Sequence, residues 1–599
     1  MIKYISLSLL CLTLPNAWAA EAIQWQPWSA ATFAQAKTDK RLILINVGHE
    51  GCTACRFMEQ NTFSNPAVIE LVNANFVAIQ VDSEARPDIG ERYSDWAWPA
   101  NAIMRPDAVQ VFAFAGSRRP DSYMKLLREA IDGHKAGTLS PDKLAPYGAP
   151  QQVETAAFSE LRDQIRALQD DVFKTKKSGV FESAEALRHL LLRKHLYGDD
   201  HALMQAKNTL DGLLQHLDPV WGGMFYASFG NWNNTVAEKR LESQAAALQA
   251  YADGYQLTGE QTYREALASV DSYLRTFMRS QQGAFFANQQ DRLSPFPADI
   301  SMDDYYALGD KERRYYGVPS IDHAVYSDVN ARVILGYAMA FEATGKQAYI
   351  ETATQAAKHL LEERQTEAGW IIQFKPSTEL SADHRIHIIT NQPLPYLRTQ
   401  AHFGLALMAL YRTTDDPYWR QAAIKVADAL LLKLEDKNIG GFYGAPDDGT
   451  PGRRKPLEDN AAAAQFLYLL GVLEKKGGYK VAAERAIRAS ASPTAVRREG
   501  RITGNLAMAL EIITAQYVEF SVVGDVDDSR TQALLQAGRS VFEPRKLVHS
   551  ESTGRYPRRA APAMYICNDQ RCTVPIYKPA DVAIKAGMFI DKASPPSPP

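Results

Sequence analysis

Cys52 and Cys55 stand two residues apart in "VGHEGCTACRFMEQ" (47–60), directly after the apolar run "LILINV". A Cys-x-x-Cys that enters a helix straight from a buried strand is arranged for thiol–disulfide chemistry. The free N–H groups and positive potential of a helix N-terminus favour a thiolate. On this reading Cys52 is the exposed nucleophile and Cys55, one turn on, the resolving thiol. Arg56 and His49 add positive charge near the sulfur. Pro99, in "DWAWPANAIM", precedes a strand. We expect Trp98–Pro99 to be cis, with its backbone facing the pair and receiving an extended peptide. The competing reading is an inert structural disulfide. A zinc half-site is disfavoured, because no His pair with ligand spacing lies nearby. No metal site and no cofactor are expected.

A second pair, Cys567 and Cys572, flanks "NDQR" at a hairpin tip. A structural disulfide across the hairpin is the expected state, and exchange with Cys52 is the sharper alternative. Carboxylates at loop-to-helix junctions form a third group. Paired acids can protonate and deprotonate a sugar or a glycosidic oxygen. Glu238 and Glu242 lie four apart. Asp322, His323, Asp328 and Asn330 cluster before "ARVILGYAMA", and Glu458 and Asp459 precede "AAAAQFLYLL". Helix N-capping explains Asp328, Asn330 and Asp459 singly. Their repetition at one end of successive hairpins suggests a polar cavity floor. His384 and His387 in a long loop, and aromatics such as Trp221 and Trp232, are read as surface and packing residues.

The elements that must position these groups follow from the chain as a whole. Its 599 residues exceed one ordinary core, so several domains are expected. With 46% hydrophobic and 23% charged residues and a net charge of -3, it has no basic footprint for nucleic acid. Residues 1–19 read as a signal peptide with an Ala17-Trp18-Ala19 cleavage motif. The expected destination is export to the periplasm, with no membrane span after cleavage.

Residues 20–135 alternate strand and helix. Asn65 before Pro66 marks a helix start. With the cysteine pair and Pro99 this gives a thioredoxin fold. A Pro/Gly-rich linker covers 136–152. From 153 to 516 the pattern is helix after helix, with an internal repeat. "YADGYQLTGEQTYREALASVDSYL", "YAMAFEATGKQAYIETATQAAKHL" and "MALYRTTDDPYWRQAAIKVADALL" align, placing Thr258, Thr344 and Thr414 at one position and Tyr263, Tyr349 and Trp419 at another. A hairpin of helices cannot bury its apolar face alone, so the copies must stack. About twelve helical segments suit six hairpins closed into a ring, with glycine-aromatic loops such as "IGGFYGAPDDG" at one end. Residues 517–592 read as a small α/β domain with the second cysteine pair, and 593–599 as a disordered tail. The fold class is therefore multidomain: α/β plus all-α.

These motifs together resemble the thioredoxin-domain family named after a spermatogenesis-associated protein, in which a thioredoxin-like domain precedes an (α/α)6 toroid. The resemblance rests on "WQPWSAATFAQAKTDKRLILINVG", "FMEQNTFSNPAVIELVNANFVAIQVDSEARPDIGERY", the Trp98–Pro99 pair, "AEKRLESQ", "SDVN", "EDNAAAA" and "VVGDVDD", in that order. It implies a toroid similar to those of sugar epimerases and six-hairpin glycosidases. The chain departs from the family at Thr53 and Arg56, where histidines are usual, and at Val236-Ala237, where an acid–base histidine is lost. The Asp-Asp-Tyr expected later reads Tyr396-Leu397-Arg398. Thioredoxins carry a proton-relaying Asp where this chain has Asn46. The leading expectation is a thiol–disulfide oxidoreductase acting on a protein thiol or disulfide partner. A toroid that binds or transforms a carbohydrate, with the thioredoxin domain as scaffold, is the second. A non-enzymatic interaction protein is the third.

Overall fold

The computed structural model describes residues 22–93, 98–142, 156–174, 179–180, 184–228, 235–293, 297, 299–375, 393–499, 503–551, 555–557, 559–568 and 570–590. The expected signal peptide and tail, residues 143–152 of the linker, Trp232, His384 and His387 lie outside them. Two compact units are present. One takes in the described residues of Met1–Gly48, Ala54–Gln80 and Trp96–Ala145. The other takes in the described residues of His49–Thr53, Val81–Asp95 and Pro146–Pro599.

The first unit is built on β1 (Trp25–Gln26), α1 (Ala30–Asp39), β2 (Leu42–Gly48), α2 (Thr53–Phe57), α3 (Pro66–Asn75), β3 (Phe76–Asp82), β4 (Ala100–Met104), β5 (Gln110–Ala115) and α5 (Pro120–Ala136), while α4 (Pro87–Gly90), between β3 and β4 in sequence, belongs to the second unit. The sheet order is β1-β3-β2-β4-β5, with β2, β4 and β5 antiparallel. Every residue of β2 is buried, as its unbroken apolar run requires. Asn65 caps α3 through its side chain, which accepts from Ala67 N and Val68 N, and Pro66 fills the first turn. Trp98–Pro99 is cis. This is a thioredoxin-like fold.

The second unit holds a closed ring. Its helices are α6 (Phe158–Lys174), α7 (Ala184–Tyr197), α8 (Asp200–Leu213), α9 (Leu241–Thr258), α10 (Gln261–Tyr273), α11 (Met302–Ala307), α12 (Asp310–Tyr316), α13 (Ser327–Thr344), α14 (Gln347–Arg364), α15 (Leu397–Thr414), α16 (Pro417–Lys433), α17 (Leu457–Leu473), α18 (Gly477–Ser490), α19 (Pro493–Glu499) and α20 (Gly504–Thr514). The inner members are α7, α9, α13, α15, α17 and α20. Each packs on the next, and α20 packs back on α7. Five inner helices carry the outer helix that follows them in sequence. The sixth, α20, is covered by α6, from the opposite end of the segment.

The repeat has a physical basis. Thr258, Thr344 and Thr414 each donate to the carbonyl four residues back and accept the N–H two residues on. The residue between is left-handed: Gly259 (φ 73°), Gly345 (φ 70°) and Asp415 (φ 59°). A second repeated device lies at the other end. The fourth residue of four inner helices, Gln244, Asn330, Gln400 or Asn460, spends its side-chain amide on both the N–H and the C=O of one loop residue. Those residues are Met224, Phe285, Ile371 and Phe442. Each glycine-aromatic loop is thereby clamped to its helix, which satisfies buried backbone groups that would otherwise be costly.

Short strands β6 (Gly179–Val180), β7 (Ala227–Ser228) and β8 (Thr235–Val236) form one small antiparallel sheet on the ring. β9 (Lys239–Arg240), β10 (Asn288–Gln289) and β11 (Ile321–Asp322) form another. The chain ends in a sheet of β12 (Val518–Val523), β13 (Lys546–Glu551) and β14 (Ala563–Cys567), packed with α21 (Ser529–Arg539) and α22 (Pro579–Phe589). Strand β12 is parallel to β13 and antiparallel to β14.

Candidate functional site

The cysteine pair sits where β2 gives way to α2. Cys52 precedes the helix and Cys55 lies in its first turn, and the two are disulfide-bonded. Cys55 Sγ and Pro99 converge on Gly48. A Cβ there would lie 2.8 Å from the sulfur and 3.9 Å from Pro99 Cβ, so only glycine lets the strand end approach so closely. Arg56 is the next residue of α2 and is buried. Two residues before Gly48, Asn46 on β2 donates from Nδ2 to Asn101 Oδ1 of β4 at 3.1 Å. The position read as a lost proton relay thus holds a buried neutral amide pair.

One expectation is corrected. The sequence pattern makes Cys52 an exposed nucleophile, yet it is 4% exposed and Cys55 6%. The loop His49–Thr53 belongs to the second unit, and its Gly51 lies against Asn288 of β10. A Cβ on Gly51 would fall 2.2 Å from Asn288 Nδ2. Nothing local in "GHEGC" announces the contact of Gly51 with Asn288 of β10.

The ring carboxylates gather at the end where the inner helices begin. Glu238 pairs with Arg240 at 2.6 Å, Glu242 with Arg332 at 2.6 Å, and Asp459 with Arg398 at 3.1 Å. Asp328 accepts from Gln373 Nε2 at 2.7 Å, and burial raises its carboxyl. Asp322 Oδ1 accepts from Ala324 N. His323 stacks on Phe286 with ring centroids 4.3 Å apart. Asn330 is one of the loop clamps. Glu458 accepts from Asn505 N and Leu506 N, capping α20. Burial also pushes the Glu458 carboxyl well up, against those two bonds.

Sequence reasoning missed several groups here. The strand–helix alternation puts Val81–Asp95 in the thioredoxin-like chain, yet the segment belongs to the second unit and is bonded to the ring. Asp82 Oδ2 accepts from Tyr326 OH, the Glu84 carbonyl accepts from Gln373, and Glu91 pairs with Arg454 at 2.8 Å. Burial, then Asp82 and Asp322, drive the Glu84 carboxyl well above the usual carboxylate range, with Arg240 only partly offsetting them. The signal was the charge density of "DSEARPDIGER", which suits a polar contact better than a solvated turn.

Deeper along the ring lies a cavity of about 60 Å³ whose lining includes Glu185, Met339, Glu342, His402, Arg412 and Lys546. Arg412 holds Glu342 at 2.7 Å. Burial, reinforced by Arg332 and Arg398, keeps His402 neutral. Burial brings Lys546 down to about 8 against the pull of Glu342. That space suits about two waters at roughly 30 Å³ each. Ligand pockets span roughly 300–1,000 Å³. Among the described residues no group of three or more His, Cys, Asp or Glu is placed to hold a metal, and no helix is long and apolar enough to cross a membrane.

Comparison with known proteins places the N-terminal segment. The family model described as "Protein of unknown function, DUF255" (Thioredox_DsbH) matches residues 15–128. Spermatogenesis-associated protein 20 of Homo sapiens is 20% identical over 713 aligned positions, covering 94% of this chain and 90% of that protein. Among solved structures, a sugar epimerase from a ruminal bacterium aligns with 60% of this chain and 98% of its own, at 12% identity and a TM-score of 0.45. An unsaturated glucuronyl hydrolase specific for heparin aligns over the same shares at 13% identity and a TM-score of 0.42. The N-terminal segment is thus a DUF255 thioredoxin-like domain, and the chain as a whole resembles the spermatogenesis-associated-protein-like thioredoxin-domain family.

Proposed function

We propose that the protein is an exported thiol–disulfide oxidoreductase working through Cys52 and Cys55. The observation that carries this reading is the bonded pair at the mouth of α2, with Cys55 Sγ and the cis Pro99 both seated against Gly48. In the reduced enzyme the Cys52 thiolate attacks one sulfur of a partner disulfide and releases the other as a thiolate. The Cys55 thiolate then attacks Cys52, releasing the partner as a dithiol and leaving the bonded pair found here. Because Cys52 is covered, exchange includes a displacement of the loop His49–Thr53. The partner is a protein thiol or disulfide.

Insulin reduction tests this. Cys52→Ser and Cys55→Ser are expected to abolish turnover, while Cys567→Ser/Cys572→Ser retains it. Full turnover in Cys52→Ser would overturn the reading. Export is tested by N-terminal sequencing of the protein recovered from a periplasmic fraction, with Ala20 expected first.

A second reading is favoured by one observation, the raised Glu84 carboxyl beside Asp322 and Asp328. A protonated and an ionised acid side by side can serve a sugar as donor and acceptor. On this reading the ring binds or transforms a carbohydrate once Val81–Asp95 withdraws. Thermal shift against mono- and disaccharides, with Glu84→Gln and Asp322→Asn as controls, tests it. No shift with any sugar removes it.

A further inference from the structure

Cys567 and Cys572 are bonded across the β14 hairpin, and the two sulfurs are unequally placed. Cys567 is fully buried, whereas Cys572 is exposed. The Cys52–Cys55 pair is buried on both sides. The hydroxyl of Tyr556 lies 2.7 Å from Cys567 Sγ and 3.6 Å from Cys572 Sγ. The Tyr556 ring stacks on Tyr565 with centroids 4.3 Å apart and planes 7° from parallel, which fixes where the hydroxyl points.

From this geometry we infer that Cys567–Cys572 is a second thiol-exchange site, open to a low-molecular-weight thiol, with Tyr556 as its positioning donor. The incoming thiolate attacks the exposed Cys572 Sγ. The Cys567–Cys572 bond breaks, a mixed disulfide forms on Cys572, and the electron pair leaves on Cys567 Sγ. Tyr556 O–H donates to that thiolate. Exchange is faster when the leaving thiolate is stabilised, and a hydrogen bond to the charged form does that. A second thiolate of the same class then attacks the outer sulfur of the mixed disulfide. It releases the Cys572 thiolate and the oxidised low-molecular-weight disulfide, and the two protein thiolates take up the protons lost by the two thiols. A purely structural crosslink needs neither an exposed sulfur nor a hydroxyl on the buried one. The inference stands apart from the function proposed for Cys52 and Cys55.

The test is a time course of reduction of the full-length oxidised protein by glutathione, quenched by alkylation and read by peptide mass. Cys567–Cys572 is expected to open before Cys52–Cys55, at the same rate in Cys52→Ser/Cys55→Ser. Tyr556→Phe keeps the ring stack and removes only the hydroxyl, and is expected to slow opening about three- to tenfold. A glutathione adduct trapped on Cys572 rather than Cys567 fixes the order of attack. Opening of Cys52–Cys55 first, an adduct on Cys567, or an unchanged rate in Tyr556→Phe would each overturn the inference.

Discussion

Arg166 of α6 and Glu511 of α20 meet at 2.7 Å inside the ring, joining its first helix to its last. Glu511 also accepts from Tyr197 OH at 2.6 Å and lies 3.4 Å from His189 Nε2. Removing one partner of a buried pair strands the other charge. Glu511→Ala is therefore expected to destabilise the protein by about 3–5 kcal/mol in urea unfolding. Burial opposes ionisation of Glu511, but His189, Tyr197 and Arg166 together bring its carboxyl from 4.5 down to about 2. A depressed carboxylate stabilises fully above its unfolded value. Wild-type stability is expected to fall as pH drops from about 4.5 towards about 2, and Glu511→Gln should flatten that fall.

The amide clamps predict a local and additive loss. Asn330→Ala leaves the buried N–H and C=O of Phe285 without their side-chain partner, a cost of about 2–4 kcal/mol. Asn460→Ala does the same at Phe442. The two clamps share no partner, so the double variant should lose the sum within about 0.5 kcal/mol by urea midpoint.

The contact of Gly51 with Asn288 predicts the reactivity of Cys52. Asn288→Ala opens space over the loop. In the reduced protein it is expected to speed iodoacetamide alkylation of Cys52 at least threefold, because access limits a covered thiol. An unchanged rate would place the cover elsewhere.

Asn46 predicts a missing pH inflection. The buried Asn46–Asn101 amide pair does not titrate, so in the wild type it adds no inflection to the exchange rate. A buried Asp there has a raised pKa and becomes a base only above it. Asn46→Asp is expected to add an inflection and raise insulin reduction about threefold at high pH, with no gain at low pH.

Glu84 predicts the opposite slope from Glu511. Its folded carboxyl titrates above 4.5, so the folded state holds the proton more tightly and stability declines as pH rises through that window. Glu84→Gln should remove this decline and leave the variant more stable than the wild type at alkaline pH, as read by urea midpoint.

What the sequence discloses here is local. The Asn65 cap, the strand before Cys52 and the Thr-centred turns are each written within a few residues. The ring follows from the repeat, because like hairpins have like apolar faces. The clamp residues were legible only in alignment. Asn330 looks like a cap until Gln244, Gln400 and Asn460 are seen to share its helix position. The contact of Gly51 with Asn288 and the bonding of Asp82, Glu84 and Glu91 to the ring join residues hundreds of positions apart; the charge density of "DSEARPDIGER" signals a polar contact, but no local pattern names the partner.

The sixth hairpin of the ring has a temporal consequence. Because α6 is the first helix of the ring to leave the ribosome and its inner partner α20 the last, the apolar groove awaiting α20 stays open while the other ring helices are made. A nascent chain in that state exposes surface suited to chaperones and to aggregation. Stalling or premature termination ahead of residue 504 would leave a seam that the earlier helices have no means of sealing.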